Sequence, residues 1–239
     1  MNAAGLPLNM RTWLPGPDRL DNPACTLRHE PFDFIVVPDL LPAGAAGAVL
    51  ADYPAFAEAG FFPYAPEQCG AHVNALVDAL VAPAFADALG AKVGIERLSQ
   101  YPTLVTLCGR MNMRHGTIHT DSRSKVATAL LYLNSSWPDT SEGCLRFLAD
   151  AHDIDAVVVP EIRPLFGTLA LFRRSDHSYH GHLPYEGERK VLQIAWLISA
   201  EAKARKVQRG RFSRAMKKLF GRLDRRLGAG RDRSAGHLD

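Results

Sequence analysis

The residues best suited to chemistry are His119 and Asp121, which are separated by one position in the segment RHGTIHTDSRSKVATALLYLN of residues 114–134. In an extended chain, residues i and i+2 point to the same side, about 6.6 Å apart from two rises of ~3.3 Å. Both side chains can therefore reach one metal ion. An imidazole and a carboxylate supply two of the three ligands of a metal centre that keeps one octahedral face open.

The third ligand is expected to be a histidine from a distant strand, and its candidates are His177, His180 and His182. His180 and His182 share a face if their segment is extended, so alternation leaves the choice open. Arg189 begins the last long apolar run. An arginine near such a site suits a carboxylate, because it can donate two parallel hydrogen bonds.

The length and composition of the chain limit which classes of protein it can belong to. A chain of 239 residues with 47% apolar content is long enough to bury a full core, and we expect one principal domain over residues 25–200. The four cysteines are too widely spaced for a paired-cysteine zinc motif, so we predict reduced thiols. The N-terminus lacks an apolar signal region, and no run of eighteen apolar residues occurs, which predicts a cytoplasmic protein.

The predicted elements begin with helices and end with strands. Residues 1–24 are predicted to form an N-terminal arm. A strand is predicted within residues 31–41, and a helix is predicted to begin at Pro42. Apolar residues at helical spacing from Val73 to Val81 predict a second helix, which Pro83 should kink or end. From residue 97 onward, short apolar runs predict six or seven strands. This order indicates an α+β protein in which a β sandwich or barrel carries the helices on one sheet.

The C-terminal segment, residues 201–239, differs in charge from the body. It holds thirteen basic and four acidic residues, a balance of +9, whereas the rest of the chain carries −6. Its apolar residues share one face of a predicted helix: Phe212, Met216, Leu219, Phe220, Leu223 and Leu227. We expect a basic amphipathic helix that binds an anionic membrane surface or a protein partner through residues 203–227, or packs on the acidic body. We do not expect a nucleic-acid partner.

Together these motifs resemble the Fe(II)- and 2-oxoglutarate-dependent oxygenases, in particular their prolyl 4-hydroxylase-like branch. That branch carries His-x-Asp before a strand ending in Tyr-Leu-Asn, then a Gly-rich turn, an apolar strand ending in Phe, and His-x-x-x-Pro followed by Arg. The matching positions are His119 and Asp121, Tyr132 to Asn134, Gly143 to Leu145, Pro164 with Gly167 to Phe172, His180 with Pro184, and Arg189. His182 lies too close to Pro184 for this pattern, so the resemblance selects His180 as the third ligand.

The resemblance implies a double-stranded β-helix of the jelly-roll or cupin type, whose mouth holds Fe(II) through His119, Asp121 and His180. It also implies 2-oxoglutarate as cosubstrate and O2 as oxidant, with ascorbate as a further candidate cofactor. Arg189 would bind the C5 carboxylate of 2-oxoglutarate. Gln193 lies on the same face of the strand as Arg189, where the family often has a hydroxyl residue that contacts the cosubstrate.

One position departs from the family pattern. Some members place a tyrosine hydroxyl on the cosubstrate from the residue just before Tyr-Leu-Asn, and this chain has Leu131 there. Thr128 is our candidate for the missing contact and is therefore included with the cosubstrate-binding residues.

The predicted activity is that of a dioxygenase that hydroxylates an unactivated C–H bond of a peptidyl residue, a small metabolite or a glycan. The alternative from another class is a catalytically inert β-helix module recruited through its basic tail, and a cupin-like metal hydrolase or isomerase is a third interpretation. The complete set of ligands and the arginine favour the oxygenase. No motif names the substrate, because one fold serves many activities. Residues 60–72 and 134–142 are the predicted entry loops.

Overall fold

A computed structural model describes residue 10 and residues 12–208 of the chain. Its strands are β1 (Thr26–Arg28), β2 (Phe34–Val37), β3 (Phe61–Pro63), β4 (Thr103–Met111), β5 (Lys125–Tyr132), β6 (Arg146–Phe147), β7 (Leu169–Arg173), β8 (His180–Gly181) and β9 (Gly187–Leu197). Seven of them form an antiparallel main sheet in the order β1-β2-β7-β5-β9-β4-β3.

A smaller sheet lies against the main sheet. In it β6 and β8 are antiparallel, with Phe147 opposite His180. Single bridges extend this sheet at His119–His180, Leu145–Ile162 and Leu148–Val157. Phe34 and Phe172 of the main sheet contact Phe147, at ring-centroid distances of 4.4 and 5.6 Å. An apolar core thus fills the space between two antiparallel sheets, as the predicted double-stranded β-helix requires.

Strand β5 separates two apolar cores. Leu130 and Tyr132 belong to the core between the sheets, whereas Ala129 and Leu131 belong to the core beneath the helices. Successive residues of a strand point to opposite faces. The side chain of Thr128 therefore faces the interior of the barrel, together with Leu130 and Tyr132.

Helices cover the outer face of the main sheet, as the sequence predicts. They are α1 (Ala46–Ala51), α2 (Ala71–Val81) and α3 (Pro83–Lys92). Leu76 and Leu80 of α2 and Phe85 and Leu89 of α3 are buried in the core beneath the helices. Pro83 ends α2 and also begins α3, because proline fits the first turn of a helix, where its missing N–H would have no partner.

Some segments differ from the sequence prediction. The run AVVVP at residues 156–160 is one of the apolar runs predicted to be strands, but it forms only a single bridge at Val157, whose side chain is exposed. Strands β1 and β3 were not predicted, since each has three residues and an edge position requires no apolar alternation. Because β3 pairs with β4, part of the predicted entry loop at residues 60–72 is an edge of the main sheet.

Both ends of the described chain contact the domain. Trp13 and Leu20, within the predicted N-terminal arm, lie in the core beneath the helices. Residues 200–208 are helical, and Ala202 packs against Leu197. The predicted apolar stripe from Phe212 to Leu227 lies outside the described residues, and the domain boundaries stay predictions.

No single helix among residues 12–208 is long and apolar enough to cross a membrane. Helices α2 and α3 reach the necessary length and composition only in combination, and the pair is bent by 56°.

Candidate metal centre

Two histidines of the predicted ligand set face each other across the smaller sheet. The backbone N–H of His119 donates to the carbonyl of His180 and the reverse bond is also present, each at 3.0 Å. Their Nδ1 atoms lie 2.9 Å from the carbonyl oxygens of Thr117 and Ser178 respectively, each two residues earlier in the chain. If each Nδ1–H donates to that carbonyl, both Nε2 lone pairs are left for a metal.

A glycine allows the segment before His119 to approach the strand that carries His180. Gly116 has φ +113°, and a Cβ there would lie 2.4 Å from the carbonyl oxygen of His182. Only glycine accepts both this backbone conformation and this close contact. The backbone N–H of His182 donates to the Gly116 carbonyl at 3.4 Å, which extends the pairing that aligns the two histidines.

Asp121 completes a group of three metal donors. The donor atoms of His119, Asp121 and His180 all lie within 4.8 Å of one another. Asp121 and His180 are buried, whereas His119 is exposed, so the group opens to solvent on the His119 side. The structure therefore brings together the three residues that the sequence analysis selected, and His182 is not part of the group.

Three side chains hold Asp121. The Thr128 hydroxyl donates to Oδ2 at 2.5 Å, and the Lys125 ammonium lies 2.5 Å from Oδ1. Arg174 donates from Nε to the main-chain carbonyl of Asp121 at 3.1 Å and pairs with Asp176 at 2.6 Å. Contacts of Lys125 and Arg174 with Asp121 were not predicted from the sequence.

The protonation states of the buried donors suit a divalent metal. Burial alone would raise the pKa of Asp121, but the charges of Lys125 and His180 and the hydrogen bonds from Lys125 and Thr128 hold that pKa well below its usual range. Burial, together with the charge of His119, lowers the pKa of His180 to about 4. At neutral pH the carboxylate is therefore ionised and the His180 imidazole is neutral, as metal binding requires.

Arg189 is a buried cation inside the barrel, with 2% of its surface exposed. Its Nε donates to the Gly143 carbonyl at 2.9 Å, and its guanidinium lies over the ring of Tyr132, 5.2 Å from the centroid. Within the part of the chain that the structure describes, it forms no ion pair with an Asp or Glu side chain. A buried charge is costly unless it is paired. The surroundings of Arg189 therefore favour an anionic ligand.

Leu131 and Thr128 lie on opposite faces of β5. Leu131 packs beneath the helices and cannot stand in for a tyrosine that points into the barrel. Tyr132 points there instead, with its hydroxyl 3.5 Å from Nη2 of Arg189. The Thr128 hydroxyl donates to Asp121, and its contact with the cosubstrate stays a prediction.

Gln193 lies on the face of β9 that the sequence predicts. Its strand neighbours are Thr106 of β4 and Leu130 of β5, and Leu130 belongs to the core between the sheets. The Thr106 hydroxyl is buried and has no hydrogen-bond partner among the described residues. Sequence reasoning missed Thr106, although its alternation with Leu107 in β4 places it on the barrel face. A contact between Gln193 and a cosubstrate stays a prediction.

Comparisons with known proteins agree with this geometry. Residues 107–198 match the family model of the 2OG-Fe(II) oxygenase superfamily. None of the curated proteins compared with the sequence matches it. Among solved structures, a prolyl-4-hydroxylase from Pseudomonas putida is 21% identical, with a TM-score of 0.50 over 70% of this chain and 93% of that chain.

Two further solved structures are similar at lower TM-scores. The prolyl 4-hydroxylase from Phytophthora capsici is 23% identical, with a TM-score of 0.46 over 69% of this chain and 58% of that chain. The viral collagen prolyl hydroxylase from Paramecium Bursaria Chlorella virus-1 is 14% identical, with a TM-score of 0.47 over 68% and 94% of the two chains.

The matched residues run from β4 to β9 and include the three metal donors and Arg189. Residues 107–198 therefore match the 2OG-Fe(II) oxygenase superfamily, and the resemblance predicted from the sequence is confirmed. The chain contains an enzyme domain of the class that uses Fe(II), 2-oxoglutarate and O2.

Proposed function

We propose that the protein is a dioxygenase in which His119, Asp121 and His180 hold Fe(II) and Arg189 holds the C5 carboxylate of 2-oxoglutarate. Its reaction is the hydroxylation of an unactivated C–H bond in a peptidyl residue, a small metabolite or a glycan. The observation that carries this proposal is Arg189, a buried guanidinium without a described carboxylate partner, in the same barrel as a three-residue metal-donor group.

The donor group suits a ferrous ion. Two imidazole nitrogens and one carboxylate form the ligand set of non-haem iron sites that keep three positions open. The charge of Asp121 partly neutralises the ion, and the neutral imidazoles of His119 and His180 add no charge. When bound, the ferrous ion supplies the site where O2 oxidises 2-oxoglutarate to succinate and CO2 and where the hydroxylation is coupled to that oxidation.

The interior of the barrel suits a dicarboxylate. Because the Nε of Arg189 is used by the Gly143 carbonyl, the guanidinium orientation is fixed and its outer N–H groups can donate in parallel to a carboxylate. The ring of Tyr132 supports the guanidinium from one side. Thr106 and Gln193 add polar groups on the same barrel face.

The substrate class is proposed from the family resemblance and not from contacts in the site. The similar structures are prolyl hydroxylases by name, yet the same fold can serve other substrates. The intact donor set, and an Arg189 that has no ion-pair partner among the described residues, give no support to the inert alternative. A cytoplasmic location, and attachment to a membrane or a protein partner through residues 203–227, stay predictions.

The experiment that tests the proposal measures succinate formed from 2-oxoglutarate with Fe(II) and O2, together with 2-oxoglutarate affinity by calorimetry in the presence of Mn(II). We expect succinate from the natural chain. We also expect at least roughly 30-fold weaker 2-oxoglutarate binding by Arg189→Ala, because about 2 kcal/mol of charge-assisted hydrogen bonding is lost.

Arg163→Ala is the matched control, since Arg163 is an exposed arginine paired with Asp139. It should bind 2-oxoglutarate like the natural chain. Metal and cosubstrate bound without any succinate would favour the inert alternative, and equal 2-oxoglutarate affinity in Arg189→Ala would refute the assignment of that residue.

A further inference from the structure

Both carboxylate oxygens of Asp121 are occupied by donors of different charge. The neutral hydroxyl of Thr128 donates to Oδ2 and the ammonium of Lys125 contacts Oδ1, each at 2.5 Å. The Lys125 and Asp121 side chains are only 13% and 7% exposed. This ion pair is therefore largely shielded from solvent and is screened by salt much less than a surface pair would be.

Local backbone structure fixes the lysine at this position. A turn closes between Ser122 and Lys125, whose backbone N–H donates to the Ser122 carbonyl at 3.0 Å, and β5 begins at Lys125 itself. In β5 the residue lies opposite Leu197 of β9, so the main sheet restrains its backbone where the turn ends.

Lys125 differs from the other cation near Asp121. The guanidinium of Arg174 contacts the main-chain carbonyl of Asp121, and its charge is offset by Asp176 at 2.6 Å. Among the described residues, the one carboxylate that pairs with Lys125 is Asp121 itself. Once that carboxylate also binds a metal, the ammonium charge lies next to the metal ligand without another counter-ion.

We propose that Lys125 is a positioning residue for the metal carboxylate and that its charge favours the ferrous over the ferric state of the bound iron. The inference rests on the proposed function, since it assumes that Asp121 binds iron. Loss of one electron raises the metal charge from +2 to +3, and Coulomb repulsion grows in proportion to that charge. A fixed ammonium beside the ligand therefore opposes oxidation of the metal. Thr128 orients the same carboxylate without adding charge.

Three variants separate charge from orientation. Lys125→Met keeps most of the side-chain length but removes the charge and the hydrogen bond. Lys125→Arg keeps the charge and a donor. Thr128→Val keeps the side-chain shape and removes only the hydroxyl donor, so it tests orientation alone. Lys125→Gln provides a second neutral variant with a donor, in case the methionine variant does not fold.

The experiment is a potentiometric titration of the iron-loaded protein. Ferricyanide takes one electron from each Fe(II), and the ferric signal is followed by electron paramagnetic resonance. We expect a lower reduction potential in Lys125→Met and Lys125→Gln, and a potential close to that of the natural chain in Lys125→Arg. Thr128→Val should bind Fe(II) roughly 10- to 100-fold more weakly, as is typical when a residue that orients a ligand is lost, and its potential should not change.

Each other result would overturn the inference. An unchanged reduction potential in both neutral variants would show that the charge of Lys125 has no effect on the iron. If Lys125→Arg or Thr128→Val lowered the potential as much as the neutral variants do, the cause would be the orientation of the carboxylate and not the charge. If the natural chain itself binds no Fe(II), the proposed function fails. If it binds Fe(II) and the potentials do not follow the charge, only the role of Lys125 fails.

Discussion

Leu131 and Tyr132 are adjacent in β5 and serve opposite sides of the main sheet. Leu131 is fully buried beneath the helices, whereas the hydroxyl of Tyr132 lies 3.5 Å from Nη2 of Arg189. One residue supports the scaffold and the next contributes to the interior that surrounds the proposed cosubstrate site. Substitutions at these two positions should therefore have separable effects.

We expect Leu131→Ala to lower the free energy of unfolding by about 2–5 kcal/mol, because a fully buried leucine leaves a cavity. Cosubstrate affinity of the folded protein should stay unchanged. Tyr132→Phe should weaken 2-oxoglutarate binding less than about tenfold, since its long contact with Arg189 is worth at most about 1.5 kcal/mol. Urea unfolding measures the stability and calorimetry measures the 2-oxoglutarate affinity. If Leu131→Ala weakened cosubstrate binding and Tyr132→Phe lowered stability instead, the two side chains would have been assigned to the wrong faces of β5.

The choice between His180 and His182 can be tested by metal affinity. His180→Ala removes a donor from the three-residue group and should weaken Mn(II) binding more than the roughly 10- to 100-fold typical of residues outside the ligand set. His182→Ala should change it less than tenfold, because its Nδ1 contacts the Leu183 carbonyl at 2.7 Å and it is not in the group. A larger loss of Mn(II) affinity in His182→Ala than in His180→Ala would assign the third metal ligand to His182.

Gly116 should be more sensitive to substitution than its half-buried position suggests. Gly116→Ala forces a Cβ to within 2.4 Å of the His182 carbonyl at φ +113°, so we expect about 1–3 kcal/mol of strain. That strain should also displace His119 and weaken metal binding. Gly44→Ala is the matched control, since a Cβ there meets nothing within 4 Å. Equal metal affinity in the two variants would show that the segment pairing is not needed.

Acid should destabilise the metal-free protein through two buried histidines. Burial is the main cause that lowers the pKa of His180 to about 4 and that of His182 to about 3. In the unfolded chain both bind protons below about pH 6.5, so between about pH 6.5 and 4 the unfolded state holds more protons.

Stability should then fall with decreasing pH, by up to about 1.4 kcal/mol per pH unit for each histidine. Urea unfolding at several pH values in the presence of a chelator measures this slope. His182→Phe should reduce the slope by about half, and a natural chain whose stability does not change over this range would contradict the prediction.

Sequence reasoning found the ligands because their types and order are distinctive. His119 and Asp121 precede a strong apolar strand, and the position of Pro184 distinguishes His180 from His182. The structure contributed what spacing cannot give. Which face of β5 looks inward depends on its register with β7 and β9, and this register decides between Leu131 and Tyr132.

The partners of Asp121 were also outside the reach of sequence. In the sequence, Lys125 lies in a polar turn that looks like any solvated loop. Its ammonium contacts the Asp121 carboxylate because β5 begins at Lys125. Arg174 is distant in the chain and reaches the Asp121 carbonyl through the pairing of β5 with β7. Short edge strands such as β1 and β3 carry too few residues to show a period.

The smaller sheet consists of two-residue strands and isolated bridges, whereas the main sheet contains strands of up to eleven residues. Among the described residues, the half of the barrel that carries His180 therefore has shorter runs of paired backbone than the half beneath the helices and should open locally at less cost. A metal bound to both His119 and His180 would crosslink and stabilise this weaker half. Amide hydrogen exchange there should slow on iron loading, while exchange in β9 hardly changes.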